Sequence, residues 1–185
     1  MKKIERSIEL GGRTLTLTTG ELAEQAAGAV VARMGDTVVL ATVASAPLKM
    51  ELDYFPLTVE YQERLYAGGR IKGSRWVKRE GRPTDEEILS ARLIDRSIRP
   101  LFPKTYKRDV QVIVTVLSVD LVNDPTILGA IAASAAVHIS NLPWKGPFRR
   151  TPRVPAHPAS CCSKDHREQL PGFLLRSTAA RDVNR

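Results

Sequence analysis

The chain has 185 residues, of which 43% are hydrophobic and 26% charged, and a formal net charge of +8, values typical of a soluble globular protein with room for one domain. The first residues lack the apolar segment of a signal peptide, and no apolar run approaches the roughly 20 residues of a membrane span, so we expect a cytoplasmic protein without membrane contact. Its two cysteines, Cys161 and Cys162, are adjacent, which favours neither a disulfide framework nor a zinc site.

The positive charge is concentrated in two parts of the chain. Basic residues exceed acidic residues by 8 between Arg64 and Arg108 and by 5 between Phe148 and Arg185, whereas the other residues together carry a net charge of −5. The central basic segment also contains Trp76 and several glycines. This combination favours a polyanion as partner, with nucleic acid as the leading candidate.

The first 62 residues have patterns typical of antiparallel sheet. Strand-like alternation or β-branched runs occupy residues 4–18, 29–33, 37–43 and 55–61. A Gly11-Gly12 turn divides the first of these segments, and Gly35 marks a hairpin between the next two. Residues 21–27 predict a short helix.

The clearest helix signal begins at Thr84. This residue is a suitable N-cap, acidic residues fill the first turn, and Glu87 completes a capping box, while two prolines end the helix. The helix carries a stripe of arginines within about 60° of one another, namely Arg92, Arg96 and Arg99. Its apolar positions lie on a different arc and are expected to pack on the sheet: Ile88, Ala91, Ile94 and Ile98.

Two further elements complete the predicted fold. Residues 110–119 are almost continuously β-branched, which predicts a buried central strand. Asp124-Pro125 then begins an alanine-rich helix that continues to about Ile139. After Pro147 the periodicity is lost, so we predict that residues 148–185 lie outside the fold as a disordered tail.

Long stretches of the sequence form distinctive motifs. They read FPLTVEYQERLYAGGRIKGS at residues 55–74, KREGRPTDEEILSARLIDRSIRPLFP at 78–103, VQVIVTVLSVD at 110–120 and DPTILGAIAASAAVHISNLPWKGP at 124–147. From about Ile4 to Pro147 the chain thereby resembles the N-terminal RNase PH-like domain of the polynucleotide phosphorylase family, with weaker similarity to RNase PH and exosome ring subunits. The resemblance implies an α+β fold of the RNase PH-like (ribosomal protein S5 domain 2-like) type, a β-rich sheet packed by helices. Residues 1–147 would be a partial domain that lacks its C-terminal part.

The resemblance also implies an activity. Family members degrade RNA from its 3′ end with inorganic phosphate as co-substrate, release nucleoside diphosphates and act in messenger RNA degradation. They bind single-stranded RNA as homotrimeric rings, use magnesium (Mg) and associate with degradosome proteins. Their catalytic, phosphate-binding and metal-binding residues belong to a second RNase PH-like domain. We therefore assign no catalytic or metal-binding residue in this chain and expect the chain alone to be inactive.

Seven residues match family positions that contact RNA or phosphate: Trp76, Lys78, Arg79, Arg82, Arg92, Arg96 and Arg99. The family's channel loop carries two aromatic and then two basic residues. Here the first aromatic and the basic pair are kept, and Val77 replaces the second aromatic. A base stacked on Trp76 would gain about 1–3 kcal/mol.

Each assignment has a structural alternative. The arginine stripe could be a solvated helix face paired with acidic neighbours, namely Asp85, Glu86 and Asp95. His138 is expected to be a core or interface histidine, and Asp120 and Asp124 are expected to end a strand and begin a helix. The alternative function, from a different class, is a non-catalytic RNA-binding or ring-scaffold module.

The family pattern ends at Gly146-Pro147. The family continues there with an apolar residue and a Gly-Ala-(Val/Leu)-Arg-Val strand, whereas this chain reads FRRTPR. Codons for this arginine-rich segment, read one base later, can encode the family sequence. We hypothesise that the gene is frameshifted near Phe148, so that residues 148–185 are out-of-frame and their cysteines and histidines bind no metal. Resequencing the coding DNA tests this hypothesis, and a second frame without the family pattern would contradict it.

Overall fold

The structure, a computed structural model, describes residues 3–48, 52–70, 82–103 and 105–146. They form β1 (Ile4–Leu10), β2 (Arg13–Thr19), β3 (Gly28–Met34), β4 (Thr37–Ala46), β5 (Leu57–Glu63), α1 (Asp85–Ile98), β6 (Asp109–Ser118) and α2 (Pro125–Ile139). The strands make one sheet in the order β1-β2-β3-β4-β6-β5. Short 3-10 helices follow β5 and α1, at Leu65–Gly68 and Arg99–Leu101. The predicted tail, residues 148–185, lies outside the described residues.

The two predicted hairpins are confirmed. β1 pairs antiparallel with β2 across the Gly11-Gly12 turn, and β3 pairs antiparallel with β4 across Gly35. Gly35 has a φ of +62°, in the left-handed region that favours glycine. A Cβ at this position would also lie 2.9 Å from Oδ2 of Asp120. The turn therefore requires glycine both for its backbone conformation and for space.

Strand β5 pairs in a way that the sequence did not predict. It is parallel to β6, with Leu57 opposite Val110 and Glu63 opposite Val116, so the antiparallel prediction was wrong for this strand. Alternation along a strand indicates which face it buries, but it does not identify the neighbouring strand. Here α1 returns the chain from the end of β5 to the start of β6, and such a crossover allows parallel pairing.

Strand β6 is the buried strand that the sequence predicts. It lies between β4 and β5, and every second side chain is fully buried: Val110, Val112, Val114 and Val116. The side chains between them are half-buried, because the helices pack on one face of the sheet. Ile94 and Ile98 of α1 are fully buried on that face, as predicted from their positions on the helix.

Two glycines let α2 approach the sheet closely. A Cβ on Gly28 of β3 would overlap the carbonyl oxygen of Ala136 in α2. A Cβ on Gly129 of α2 would lie 2.9 Å from Cγ1 of Val114 and 3.3 Å from the ring of Tyr61. Side chains at these two positions would separate the helix from the sheet.

Two local predictions were wrong. Residues 21–27 form turns and not a helix, because Ala23 has a left-handed φ of 55° and residues 21–25 bury no face against the sheet. Ile88 is 41% exposed, because it lies on the flank of α1 beside β5 and not above the core. Hydrophobic spacing alone did not separate these two sides of the helix.

The loops at one end of the sheet are held together by Asp120 and Asn123. The Asp120 carboxylate accepts hydrogen bonds from the backbone amides of Val122, at 2.9 Å, and Asn123, at 2.8 Å. The Asn123 side chain donates to the carbonyl of Met34 at 3.1 Å and accepts from the guanidinium of Arg13. Burial acts to raise the pKa of Asp120, but hydrogen bonds from these amides and from neighbouring side chains outweigh it and lower the pKa.

The Asp120 carboxylate should therefore stabilise the fold most strongly above pH 4. Its pKa is about 3.9 in the unfolded chain and lower in the folded chain, so its contribution is complete above the unfolded value and declines as the pH falls toward the folded value. Asp120→Asn is expected to lower the free energy of unfolding at pH 6, measured by urea denaturation. The difference from the unsubstituted chain should narrow at pH 3, and an equal difference at both pH values would contradict this account.

Candidate functional site

The arginine-bearing helix α1 is anchored at its start to strand β5. Thr84 Oγ1 accepts from the Glu87 amide at 3.3 Å, and the Glu87 carboxylate accepts from the Thr84 amide at 2.6 Å, so the predicted capping box is confirmed. The second carboxylate oxygen of Glu87 accepts from the backbone amide of Glu63 at 2.8 Å. Glu87 is only 8% exposed. This one side chain joins the first turn of α1 to the last residue of β5.

The end of α1 is anchored by Arg99. Its guanidinium makes two hydrogen bonds with the Asp95 carboxylate, at 3.1 and 2.8 Å. It also donates to the carbonyls of Phe55, at 3.2 Å, and Leu57, at 3.0 Å. The structural alternative of an arginine paired with an acidic neighbour therefore describes Arg99, and its contact with RNA stays a prediction.

Arg92 and Arg96 differ from Arg99. Both are exposed, and within the described ranges neither makes an ion pair or hydrogen bond through its side chain. Arg82, also exposed, lies just before the helix. This face of α1 therefore presents guanidinium groups that are available to an anion in solution. The other predicted RNA contacts, Trp76, Lys78 and Arg79, lie outside the described residues.

Arg92 also lines an open groove of about 630 Å³ between α1 and β5. One wall is strand β5 from Leu57 to Gln62, and the other is a flank of α1 that includes Ile88, Ala91, Arg92 and Asp95. The sequence indicated that α1 carries cations, but not that a groove lies beside them, because the groove depends on β5 being the edge strand.

Two other candidate residues, Asp124 and His138, make contacts within the fold. The Asp124 carboxylate accepts from the Thr126 amide at 2.8 Å, as expected for the N-cap of α2. His138 is exposed and packs edge-on against Trp144, with ring centroids 6.2 Å apart, so the core alternative of its prediction was wrong and the interface alternative stays a prediction. His138 and Ile139 lie on the outward side of the last turn of α2, whereas Ala136 and Val137 of the same turn are fully buried. Cys161, Cys162, His157 and His166 lie outside the described residues.

Two searches of the described ranges were negative. They contain no group of three or more His, Cys, Asp or Glu side chains placed to hold a metal ion. No helix in these ranges is both long and apolar enough to cross a membrane.

The fold and the surface of α1 define an α+β domain with a cationic helix face. The sequence profile of the 3′ exoribonuclease family, domain 1, matches residues 11–143. The chain belongs to this family.

Curated relatives share more than half of their residues with the matched part of the chain. A polyribonucleotide nucleotidyltransferase from Roseiflexus castenholzii is 59% identical over 142 residues, which are 76% of this chain and 19% of the relative. One from Thermus thermophilus is 56% identical over 141 residues, or 76% of this chain and 20% of the relative. The chain thus spans about a fifth of the length of these relatives.

Solved structures agree with the fold. The Archaeoglobus fulgidus exosome with RNA bound to the active site has a chain that superposes with a TM-score of 0.55 at 22% identity, covering 74% of this chain and 59% of that one. Rice (Oryza sativa) Rrp46 superposes with a TM-score of 0.54 at 20% identity, covering 71% of this chain and 57% of that one. The predicted RNase PH-like α+β fold is confirmed.

Proposed function

We propose that this chain is the first RNase PH-like domain of a phosphorolytic 3′-to-5′ exoribonuclease, a polyribonucleotide nucleotidyltransferase, and that it binds single-stranded RNA on helix α1. The whole enzyme would use inorganic phosphate to release nucleoside diphosphates from RNA during messenger RNA degradation in the cytoplasm. The observation that carries the RNA contact is the exposure of Arg92 and Arg96 without a partner in the described ranges. Relatives that are 56–59% identical and bear this enzyme's name support the activity.

The contribution of this chain is to hold RNA and not to cleave it. Guanidinium groups of Arg82, Arg92 and Arg96 would bind phosphates of the RNA backbone, which gives affinity without reading the sequence. Lys78 and Arg79 would add positive charge along the RNA backbone, and Trp76 would stack on a base. Magnesium and the co-substrate phosphate would be held by a second RNase PH-like domain.

The proposal extends to assembly. Three copies of the whole enzyme would form a homotrimeric ring, and degradosome proteins would be its partners. Support comes from the Archaeoglobus fulgidus exosome, which shares the fold and has RNA bound to the active site. The arginine face of α1 would then lie along the path of the RNA.

Removing one guanidinium should weaken RNA binding in a characteristic way. Arg92→Ala is expected to lower affinity for oligoadenylate and oligouridylate equally, because phosphate contacts do not distinguish bases. The slope of log affinity against log salt should fall by roughly 0.7, the value for one contact to a single strand. Fluorescence anisotropy across a salt series measures both quantities.

Arg33→Ala is the matched control, since Arg33 is an exposed arginine in the β3-β4 hairpin that already pairs with Asp36 at 3.6 Å. It should leave the salt slope unchanged. If the salt slope were also unchanged for Arg92→Ala, the proposed contact between α1 and the RNA backbone would be contradicted.

The purified chain should show no phosphorolysis by itself. Incubated with polyadenylate and inorganic phosphate, it is expected to release no ADP, whereas the whole enzyme from Thermus thermophilus serves as the positive control. Phosphate-dependent ADP release by the pure chain would place a catalytic centre within it and contradict the assignment. If no ADP is released, the chain could be either a domain of the enzyme or a non-catalytic scaffold module. Resequencing of the downstream DNA then distinguishes these two interpretations.

A further inference from the structure

Strand β1 forms one edge of the sheet and is exposed along its whole length. It pairs only with β2, and each of its 7 residues is exposed to solvent. The two strands are joined by a two-residue turn in which Gly11 and Gly12 both have a positive φ, as in the type I′ turn of tight hairpins. An edge strand of this length presents a row of backbone amides and carbonyls that no neighbouring strand pairs.

The turn determines which residues of β1 point their backbone groups away from the sheet. Leu10 and Arg13 flank the two turn residues, so they bond to each other through their backbone groups. Hydrogen-bonded and non-hydrogen-bonded pairs alternate along an antiparallel ladder, so every second residue from Leu10 back to Ile4 bonds to β2. The residues between them point their backbone groups outward, namely Glu5, Ser7 and Glu9. Within the described ranges these outward amides and carbonyls have no hydrogen-bond partner.

One face of this edge carries exposed aliphatic side chains. Ile8 is opposite Leu15 of β2, which is buried in the core, so the even-numbered residues of β1 lie on the face that the helices cover. Helix α2 packs on β3, β4 and β6, so the side chains of β1 lie beyond the helix layer. Three of them form an exposed aliphatic row, at 51%, 55% and 48% exposure: Ile4, Ile8 and Leu10.

The charges of β1 are divided between its two faces. Glu5 and Glu9 lie on the face away from the helices. Glu9 makes no ion pair or hydrogen bond through its side chain within the described ranges, whereas Glu5 interacts electrostatically with Lys3, whose ammonium group pairs with Glu21 at 2.9 Å. Arg6 lies on the face of the aliphatic row. The edge thus offers two carboxylates on one face and aliphatic side chains with one arginine on the other.

A second copy of the chain and RNA both fit this edge poorly. If two β1 strands paired antiparallel over their full length, Glu5 of one copy would face Glu9 of the other, and like charges directly opposite each other destabilise a sheet. The same carboxylates would repel the phosphates of RNA. A strand with basic side chains at these two positions would be attracted instead.

We propose that β1 binds an extended peptide that adds to the sheet as a strand, with basic side chains opposite Glu5 and Glu9 and apolar side chains opposite the aliphatic row. Main-chain hydrogen bonds to the outward amides and carbonyls would give affinity, and the alternate side chains would give specificity. The two basic positions are four residues apart, so both lie on one face of the added strand. Arg6 disfavours a third basic residue on the other face. The site goes beyond the proposed function and does not depend on it.

The test uses the full chain and a synthetic probe, acetyl-Val-Lys-Val-Thr-Val-Lys-Val-amide. The probe reads the same in both directions, so its lysines meet both carboxylates whether it adds parallel or antiparallel to β1. Titration of the isotope-labelled protein is expected to shift the amide signals of Glu5, Ser7 and Glu9 and to slow their hydrogen exchange. Binding without any change at these three amides would overturn the proposal, as would the absence of binding.

The free chain shows whether the edge is open before the probe is added. The same three amides should exchange rapidly at every protein concentration. Protection in dilute solution would mean that another segment of the chain covers β1, and protection that increases with concentration would mean that a second copy covers it. Either result would overturn the proposal.

Two N-methylated probes test the main-chain ladder without changing the protein. Methylation of every even-numbered residue of the probe after the first blocks one edge of the added strand, and methylation of every odd-numbered residue after the first blocks the other edge. One of these probes, and not the other, should lose binding, because one edge faces β1 and the other faces solvent. Equal binding by both, or loss of binding by both, would contradict strand addition.

Charge variants test the recognition of basic side chains. Glu9→Gln should weaken binding of the lysine probe about two- to fivefold, as for the loss of a solvent-exposed ion pair, and should not affect a probe with glutamine in place of lysine. Asp53→Asn is the matched control, because Asp53 is an exposed carboxylate outside the sheet. Equal weakening by both variants would indicate non-specific attraction of a cationic peptide, and unchanged binding by Glu9→Gln would contradict recognition of its charge. Either result would overturn the proposal.

Discussion

Gly28→Ala is expected to lower the free energy of unfolding by about 3 kcal/mol or more, at the upper end of the cost of overpacking. The added Cβ would overlap the carbonyl oxygen of Ala136. This obstacle is backbone, which cannot rotate away as a side chain can. Helix α2 would have to move off the sheet, although it covers β3 and β4 and buries Leu128, Ala132 and Val137. Urea denaturation followed by circular dichroism measures the change.

Two comparisons make this expectation specific. Gly129→Ala should cost less, because the new Cβ meets Val114 and Tyr61 side chains and alanine is favoured over glycine within a helix by about 1 kcal/mol. Ala29→Val adds bulk next to Gly28 on the half-exposed opposite face of the sheet, so it should change stability by less than about 0.5 kcal/mol. If Gly28→Ala were as mild as Ala29→Val, close packing of α2 on β3 would not be a requirement of the fold.

Glu87→Ala is expected to cost about 2–3 kcal/mol. The substitution removes the reciprocal half of the capping box, and the loss of a capping side chain costs about 0.5–2 kcal/mol. It also removes the acceptor of the half-buried Glu63 amide, and a donor that loses its partner in such a position costs about 1–3 kcal/mol. Glu87→Gln should be intermediate, because the amide side chain keeps one acceptor oxygen but turns a donor toward the other amide. The same urea measurement gives the change in the free energy of unfolding for both variants.

Asp85→Ala provides the matched control for Glu87. Asp85 is an exposed acidic residue in the same first turn and acts mainly on the helix dipole, so its removal should cost only about 0.3–1 kcal/mol. A loss as large as that of Glu87→Ala would mean that first-turn charge, and not the bond from α1 to β5, holds this helix in place.

Local elements of the fold could be predicted because their causes are local. The N-cap at Thr84, the Pro125 start of α2 and the glycine turn at Gly35 each depend on residues a few positions apart. The helix predicted at residues 21–27 does not form, because Ala23 has a left-handed φ. An alanine side chain does not indicate this conformation, so the sequence could not predict it.

Contacts between distant segments could not be predicted in the same way. The pairing of β5 with β6, and the bonds from Glu87 and Arg99 to β5, join segments whose proximity depends on how the chain is connected in space. The Asp95-Arg99 pair has an i,i+4 spacing that signals an ion pair. Arg99 also donates hydrogen bonds to the carbonyls of Phe55 and Leu57, and no sequence spacing predicts these bonds. Arg92 and Arg96 were predicted as cations, and their exposure became clear only from the fold.

The strand order has a consequence for how the chain is made. β5 follows β4 in sequence, yet β6 lies between them. Strand β5 ends at residue 63 and β6 ends at residue 118, so synthesis at about 5–20 residues per second separates them by roughly 3–11 s. During that interval β4 and β5 have no correct partner on the sides that will later face β6. A β4-β5 hairpin formed in this time would have to open before β6 could enter, which makes insertion of β6 the step at which the nascent domain is most open to misfolding.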